Sequence, residues 1–362
     1  MNMISSMLSA LRRIFIGYRT PPCMGIDIDS SAIKIVELNT NTLKIKNYGI
    51  KALNHGLISV INSSINDLDK VSSLISQQLT LFRHKIDNVA ISIPYGSVIV
   101  REFIVPKIKS KLDLDDYVLE QLVINLGIDD IDFDYTIIET TDENYKLNVV
   151  VAKKDQLDEY QAMIQMTGTN IAAIDIEPFA IQYLYSILLK RRSFQNNVLV
   201  LDVGYHRIYG YVFQDNKPIY FNHINVSYNY IFEEYLQHNN IKLNNNENIS
   251  VFTVEYLINN QIYLDNLVQT ISTDVSKLIQ IIKSSILVEK KITLTSDFMT
   301  YLIGDQALLP NLLDNIAANN NMNIYYGDEL LRPLNNHVPR QHLIRLMTAI
   351  SLATWGHKID EN

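Results

Sequence analysis

The pattern of hydrophobic and polar positions predicts a chain in which strands and helices alternate. Apolar β-branched runs, or a period of two, predict strands from residue 25 onward and at 43–51, 89–94, 97–106, 132–140, 146–154, 171–176, 198–202 and 207–226. Helical spacing predicts helices at 4–15, 68–82, 112–126, 155–166, 179–189 and 264–287. The alternation predicts an α/β protein.

Two of the predicted strands carry an aspartate close to their ends. Asp27 stands in the run Gly25-Ile-Asp27-Ile-Asp29, and Asp202 stands in Val198-Leu-Val-Leu-Asp202-Val-Gly204. An apolar run with one carboxylate before a turn is typical of a buried strand that presents the carboxylate to a phosphate site. Because Mg²⁺ keeps several waters and needs few carboxylates, the pair predicts a hydrated metal between two lobes. The alternative is that both aspartates end core strands of an ordinary α/β protein.

A third element near the end of the chain has the form of a strand, a tight turn and a helix. Its turn contains Gly304 and its helix is predicted to hold Pro310 in the first turn. A glycine turn at this place lets backbone approach an adenine ring, although any junction of strand and helix could produce the pattern. In this order, the three elements indicate an actin-like, duplicated ribonuclease H-like fold of two lobes.

The length of 362 residues exceeds the size at which one core keeps growing, so at least two lobes are expected. The strand, helix, strand, strand order after residue 94 predicts a small inserted module. The predicted division is an N-terminal helix and linker at 1–24, a first lobe at 25–94 and 169–195, the module at 95–168, a second lobe at 196–227 and 291–362, and a peripheral part at 228–290. Trp355 is predicted to anchor the last helix by packing.

Composition argues against several kinds of partner. The chain has 31 lysines and arginines against 39 aspartates and glutamates, a formal net charge of −8, without a dense basic run. Nucleic acid is therefore not expected as a partner. Cys23 is the single cysteine, so the sequence contains neither an internal disulfide nor a thiolate cluster for zinc.

The N-terminal segment bears on location. The apolar stretches are too short to span a bilayer, and the basic pair Arg12-Arg13 is not followed by a signal-peptide cleavage pattern, so a cytoplasmic protein is expected. Residues 4–15 predict a short amphipathic helix. It could lie on an acidic membrane surface, or it could pack on the body of the protein.

The sequence resembles the PilM family of bacterial type IV pilus assembly proteins, which are relatives of the division protein FtsA. The resemblance runs from Gly25 to about Trp355. It is carried by Gly25-Ile-Asp27 with Ser30, Ser31, Lys34 and Glu37, by 90–94, 103–106, 149–153, Asp175-Ile-Glu177 with Ala180, 200–204, and 302–310. It implies that the module is FtsA-like and that a groove beside it takes the cytoplasmic N-terminal peptide of the inner-membrane protein PilN. It also implies a cytoplasmic protein at the periphery of the inner membrane, with self-association left open.

The same resemblance implies a nucleotide, ATP or ADP with Mg²⁺, between the lobes. Matched position by position, Asp27, Ser30, Ser31 and Lys34 fall in the first phosphate loop, Asp202 and Gly204 in the second, and Gly304 in the adenosine turn. Glu177 and Asp175 are the candidates for orienting a catalytic water. The alternative for these two acids is that they cap the helix that follows them.

The sequence departs from the family pattern at four places around this cleft. Asp29 replaces a glycine or small residue, and Lys34 is the residue that could offset its charge. Tyr205-His206-Arg207 replaces small residues, Asp305 replaces a second glycine, and Ser351 replaces a glycine of the last helix. Together they predict weakened or lost nucleotide binding, hence a scaffold with at most weak ATPase activity.

Other functions stay open at this stage. The chain could be an active ATPase whose nucleotide state tunes the peptide groove. A division protein like FtsA would need a C-terminal amphipathic helix, which the pattern of 356–362 does not predict. A small-molecule kinase would need a larger inserted domain than 95–168.

Overall fold

The structure, a computed structural model, describes residues 24–29, 32–39, 41–53, 57–58, 65–82, 86–127, 130–192, 197–215, 217–240, 260–295, 298–335 and 337–355. The predicted helix at 4–15, the two serines Ser30 and Ser31, and the segment 356–362 lie outside these residues.

The described strands and helices agree closely with the pattern. The strands are β1 (Met24–Ile28), β2 (Ala32–Leu38), β3 (Ile45–Ala52), β4 (Asn88–Ile93), β5 (Val98–Pro106), β6 (Ile131–Thr140), β7 (Asn144–Lys153), β8 (Asn170–Ile176), β9 (Val198–Val203), β10 (Arg207–Gln214), β11 (Lys217–Asn225), β12 (Met299–Ile303) and β13 (Ile324–Tyr326). The helices are α1 (Leu68–Leu79), α2 (Lys111–Leu126), α3 (Lys154–Gln165), α4 (Glu177–Arg192), α5 (Asn229–His238), α6 (Gln261–Lys290), α7 (Leu312–Asn320), α8 (Asp328–Leu331), α9 (Arg340–Leu343) and α10 (Met347–Ala353). Short 3₁₀ turns lie at Tyr95–Ser97 and Ile344–Leu346.

The fold contains two sheets with one topology. The first has the order β3-β2-β1-β4-β8, and the second has the order β11-β10-β9-β12-β13. In each sheet the first three strands in sequence form an antiparallel series. The fourth strand pairs parallel to the first, and the fifth pairs parallel to the fourth. The structure is therefore an internal duplication, as the sequence predicts.

The duplication extends to the register of the aspartate strands. In each hairpin the residue opposite the aspartate lies seven positions further along the chain. Lys34 faces Asp27 in the first sheet, and Tyr209 faces Asp202 in the second. The two aspartates are therefore equivalent positions, each one residue before the end of its strand.

The inserted module is a third sheet of order β5-β7-β6, antiparallel throughout, with helix α2 on one face. Helix α2 buries Leu114, Val118 and Leu122 against this sheet and forms a small separate core. The strand, helix, strand, strand prediction is confirmed. Helix α3 follows the module and instead packs in the core of the first lobe, through Leu157 and Tyr160.

Two helices carry the chain between the lobes. Helix α4 begins in the first-lobe core with Phe179 and continues into the second-lobe core with Ile181 and Leu184. Helix α10 returns and packs on the first sheet, where Leu352 joins a cluster of alanines and Trp355 packs against it. The prediction that Trp355 is a packing residue is confirmed.

One helix start differs from the prediction. Pro310 is not in the first turn of α7, because this helix begins at Leu312 with Asn311 as its N-cap in a left-handed conformation, φ 63°. The proline therefore precedes the helix and stiffens the turn that leads from β12.

Gly25 sets how closely α10 approaches β1. A side chain at this position would overlap the backbone of Ala349 and Ala353, which cannot move away without displacing the helix. Only glycine lets the helix lie directly on the strand.

The substitution Gly25→Ala should therefore lower the free energy of unfolding by about 1–3 kcal/mol through overpacking. Gly49→Ala is the control, since its new methyl group would meet only the flexible end of Gln78. Urea denaturation of both variants measures the difference. Equal stabilities would contradict the close approach of α10.

Candidate functional site

The candidate site is the cleft between the two sheets. A cavity of about 120 Å³ lies there, below the roughly 300–1,000 Å³ typical of small-molecule sites. The predicted residues that line it are Asp27, Lys34, Glu177, Asp202, Gly204 and Gly304. The structure thus brings together the carboxylates of the two duplicated strands with both predicted turn glycines. Ser30 and Ser31 lie outside the described residues.

Lys34 is the centre of the charges in this cleft. Its ammonium Nζ lies 3.0 Å from Asp29 Oδ2, 3.0 Å from Asp305 Oδ2 and 3.7 Å from Asp27 Oδ2, and its side chain is only 6% exposed. Burial alone would lower the pKa of Lys34, but the three carboxylates outweigh it and raise the pKa well above its usual value. Lys34 is therefore held as a cation.

Asp29 closes the first hairpin with its own side chain. Its backbone N–H donates to the Ala32 carbonyl at 3.1 Å, and its Oδ1 accepts from the Ala32 N–H at 2.9 Å. Its other oxygen accepts from Lys34. The Ala32 amide at the tip of this hairpin is therefore already used within the protein. The expectation that Lys34 offsets the Asp29 charge is confirmed.

Asp305 connects the two lobes in the turn after β12. Its Oδ2 accepts from Lys34 Nζ of the first sheet at 3.0 Å, and its Oδ1 accepts from Arg345 Nε at 2.7 Å. Gly304 makes this turn possible, because it adopts φ 101° and a side chain there would overlap Asp202 Oδ1. The carboxylate thus bridges two cations.

The second hairpin tip holds larger residues. The Gly204 N–H donates to the Arg207 carbonyl at 3.0 Å, so this amide also has a partner within the loop. Tyr205, His206 and Arg207 line the cleft. The guanidinium of Arg207 lies over Gly96, where even a methyl group would overlap it, and so forms a second contact between the lobes.

Glu177 and Asp175 are separated, although they stand two residues apart. Glu177 lines the cleft, where its Oε2 accepts from the Tyr209 hydroxyl at 3.1 Å. Burial raises the pKa of Glu177 above its usual value. Asp175 instead lines a narrow cavity of about 20 Å³ where the module meets the first sheet, and its Oδ1 accepts from the Ile176 N–H at 2.7 Å. Of the two, only Glu177 is placed to act in the cleft.

The two duplicated aspartates have raised pKa values. Burial raises the pKa of Asp202 to about 7, and Glu177 adds to the effect while Lys34 opposes it. Burial also raises the pKa of Asp27 well above its usual value, although Lys34 opposes the shift. Both carboxyl groups thus favour a bound proton more than an exposed aspartate does.

As arranged, the described residues do not fit a magnesium nucleotide. Lys34 is already surrounded by carboxylates, two hairpin-tip amides are bonded internally, and Asp305 holds a carboxylate between Lys34 and Arg345 in the turn after β12. No group of three or more His, Cys, Asp or Glu suited to a metal ion was found in the described part of the chain. The magnesium role of Asp27 and Asp202 stays a prediction.

Two partners in the site were missed by sequence reasoning. Arg345 lies some 40 positions beyond Asp305, and Tyr209 gives no polar signal within a strand of apolar residues. The sequence did contain one indication of these ion pairs: two unexpected aspartates, Asp29 and Asp305, occur together with a lysine, Lys34, in a strand predicted to be buried. A buried lysine needs carboxylate partners, and both replacements supply one.

The duplicated sheets and the cleft between them define an actin-like fold. The structure is similar to a PilM protein in a solved PilM–PilN type IV pilus biogenesis complex, with TM-score 0.75 and 17% identity over 94% of this chain and 100% of that one. It is also similar to the ethanolamine utilization protein EutJ from Carboxydothermus hydrogenoformans, with TM-score 0.52 and 12% identity over 98% of each chain.

The sequence itself identifies the family. The family model described as type IV pilus assembly protein PilM matches residues 25–353. The chain belongs to this family of type IV pilus assembly proteins. The expected resemblance and the expected fold class are both confirmed.

The raised pKa of Asp202 generates a prediction about pH. Because this pKa of about 7 lies above the value of 3.8 of an ordinary aspartate, the folded state binds more protons than the unfolded state between these values. The free energy of unfolding therefore falls as pH rises through this window. Asp202→Asn removes the difference, so the wild type should lose more stability than the variant between about pH 5 and about pH 8, by on the order of 1 kcal/mol or more.

Urea denaturation at both pH values measures this effect. Asp130→Asn, an exposed position just before β6, is the control and should behave as the wild type. A variant with the same pH dependence as the wild type would show that Asp202 does not carry the effect.

Proposed function

We propose that the protein is a cytoplasmic scaffold of the type IV pilus assembly platform at the inner membrane, and that it binds the N-terminal peptide of a PilN-like protein. Membership of the PilM family supports the role in pilus assembly. The similarity to a PilM protein solved in complex with PilN supports the kind of partner. The observation that carries the proposal is the apolar junction between the module and the first sheet.

This junction, which we call the module groove, is the narrow cavity of about 20 Å³ that also contains Asp175. Its apolar residues come from both sides: Val98 and Phe133 from the module, Ile93 and Phe179 from the first lobe. Strand β6 borders it and is an edge strand of the three-stranded sheet. An apolar groove beside an edge strand suits an extended peptide with hydrophobic side chains.

The module groove also has negative groups. Asp132, Asp134 and Asp175 line it, and burial raises the pKa of Asp175 to about 7. Cytoplasmic segments next to a membrane span carry an excess of lysine and arginine. A basic group brought by such a peptide would favour the charged form of Asp175 and be attracted by all three carboxylates. Charge therefore supports the same partner as the apolar walls do.

The proposed role is that of a scaffold with at most weak ATPase activity. A catalytic base has to be free to orient water, whereas Glu177 accepts a hydrogen bond from Tyr209 at 3.1 Å. An ATPase equally needs a phosphate-binding site, and the negative charges of Asp29 and Asp305 disfavour phosphate binding. An ATPase whose nucleotide state regulates the groove is the alternative that the nucleotide experiment below tests.

The proposed location is the cytoplasmic side of the inner membrane, reached through the partner. Within the described ranges, no helix combines the length and the apolar character that crossing a membrane requires. Direct contact through residues 4–15 and self-association both stay predictions.

Peptide binding tests the proposal. A labelled N-terminal peptide of a PilN-like protein should bind the full-length chain, and Phe133→Ala should weaken binding by about tenfold or more, since it removes one apolar wall. Leu112→Ala is the control, because Leu112 is 76% exposed on the outer face of α2. Fluorescence anisotropy measures the dissociation constants. Absence of binding to the wild type, or equal effects of the two substitutions, would refute the groove.

A further inference from the structure

The charges of the nucleotide cleft are paired across the two lobes. Lys34 comes from β2 of the first sheet, while Asp305 follows β12 of the second sheet and Arg345 lies in the 3₁₀ turn before α10. Asp305 binds both cations at once, with distances of 3.0 Å and 2.7 Å, and its side chain is 7% exposed. The group of Lys34, Asp29, Asp305 and Arg345 is called the cross-lobe cluster below.

The cross-lobe cluster occupies the elements where the family resemblance places a nucleotide. Asp29 lies at the tip of the first hairpin, and Asp305 lies in the turn next to Gly304. Lys34 contacts both carboxylates and therefore spans the width of the cleft. A cation that would otherwise face phosphate is thus neutralised by side chains from both lobes.

Added phosphate would meet an unfavourable field. The cleft is lined by the five acids Asp27, Asp29, Glu177, Asp202 and Asp305 and by the cations Lys34, Arg207 and Arg345. Burial raises the pKa of Asp27, Glu177 and Asp202, so Asp29 and Asp305, each 3.0 Å from Lys34, are the carboxylates that most oppose an added polyphosphate. The two aspartates nearest to Lys34, Asp29 and Asp305, are therefore also the groups that disfavour a bound anion.

Other contacts hold the lobes in the same arrangement. The Ile45 N–H donates to the Leu334 carbonyl at 2.8 Å, and the Tyr48 hydroxyl lies 3.0 Å from His342 Nδ1. Both contacts join β3 of the first sheet to the segment around α8 and α9. In addition to the connection through α10, these two contacts join the lobes through residues that do not line the cleft, while the cross-lobe cluster joins them inside the cleft.

We infer that in this chain the cross-lobe cluster replaces the magnesium nucleotide as the connection between the lobes, so that the cleft is closed permanently and without a ligand. The Lys34 ammonium supplies the positive charge that a metal ion would supply, and Asp29 and Asp305 supply the oxygens that phosphate would supply. The lobes then keep one relative position whatever the nucleotide concentration. This inference does not depend on peptide binding at the module groove.

A gain of binding tests the inference. MgATP titrated calorimetrically into the full-length wild type should give no binding up to about 1 mM. The double variant Asp29→Gly/Asp305→Gly removes the two carboxylates nearest to Lys34, leaving Asp27 at 3.7 Å, and removes the partner of Arg345. It should bind MgATP at least about tenfold more tightly than the wild type. The control Glu37→Gln/Asp274→Asn removes the same number of carboxylates outside the cleft and should remain without binding.

Hydrogen exchange provides a second measurement that does not need nucleotide. Lys34→Met should speed exchange at 24–29 and at 299–307 together, because these segments lie on different lobes and Lys34 contacts a carboxylate of each. Lys46→Met is the control, since its pair with Glu37 lies within the first sheet and Lys46 is about half exposed. If the double variant does not fold, Asp305→Asn keeps the side-chain shape and takes its place in the titration.

Each outcome decides the inference. It is overturned if the wild type binds MgATP below about 1 mM, if removing the aspartates brings no gain in affinity, or if exchange rises in one segment only. Peptide binding to the wild type is measured in parallel. Absence of peptide binding by the wild type would refute the proposed scaffold role but would not contradict the inference about the cross-lobe cluster.

Discussion

A lysine removed from water has to be surrounded by negative charge, and the arrangement of the cleft follows from this requirement. Lys34 lies in a strand buried along its whole length, so its ammonium cannot reach solvent and instead extends into the space between the lobes. Carboxylates from three different elements meet it there. Asp305 is held in turn by Arg345, so the positive and negative groups form one continuous arrangement.

The duplication makes the asymmetry of the two halves clear. Asp27 and Asp202 are equivalent, but Asp27 has Lys34 opposite it, whereas Asp202 has Tyr209. A tyrosine brings no positive charge, but burial raises the pKa of both carboxyl groups, that of Asp202 to about 7 and that of Asp27 well above its usual value. The hairpin tips differ in the same way, since Asp29 occupies in the first half the place that Gly204 occupies in the second. The two halves therefore have the same backbone topology but different charged side chains at equivalent positions.

Much of the fold could be predicted because the buried strands are strongly periodic. Both aspartate strands, the module and the long helix α6 were predicted within a few residues, since apolar runs bounded by turns leave few alternatives. The start of α7 was missed because Asn311 adopts a left-handed cap that no periodicity indicates. The separation of Asp175 from Glu177 could not be predicted either. It depends on where β8 ends against the module, which is a property of packing between distant segments.

Most residues of the site were predicted from the sequence, but the ion pairs between them were not. Sequence reasoning placed Asp27, Lys34, Asp202 and Gly304 in one cleft and suggested that Lys34 offsets Asp29, but it gave Asp305 no partner. Lys34 and Asp305 are 271 positions apart, and no local pattern reports a contact at that distance. Only the cost of burying a charge alone indicated that some partner had to exist.

The packing of α10 on β1 has a consequence for biosynthesis. Strand β1 lies at Met24–Ile28 and its covering helix α10 at Met347–Ala353, so the helix is translated well after the strand that it covers. At about 5–20 residues per second, roughly 20–60 s separate the synthesis of the two. During that interval the apolar surface of the nascent sheet around Gly25 lacks the cover of α10, although Ala180 of α4 already packs near Ala90. A chaperone that shields hydrophobic surface would meet this part of the first sheet before its helix exists.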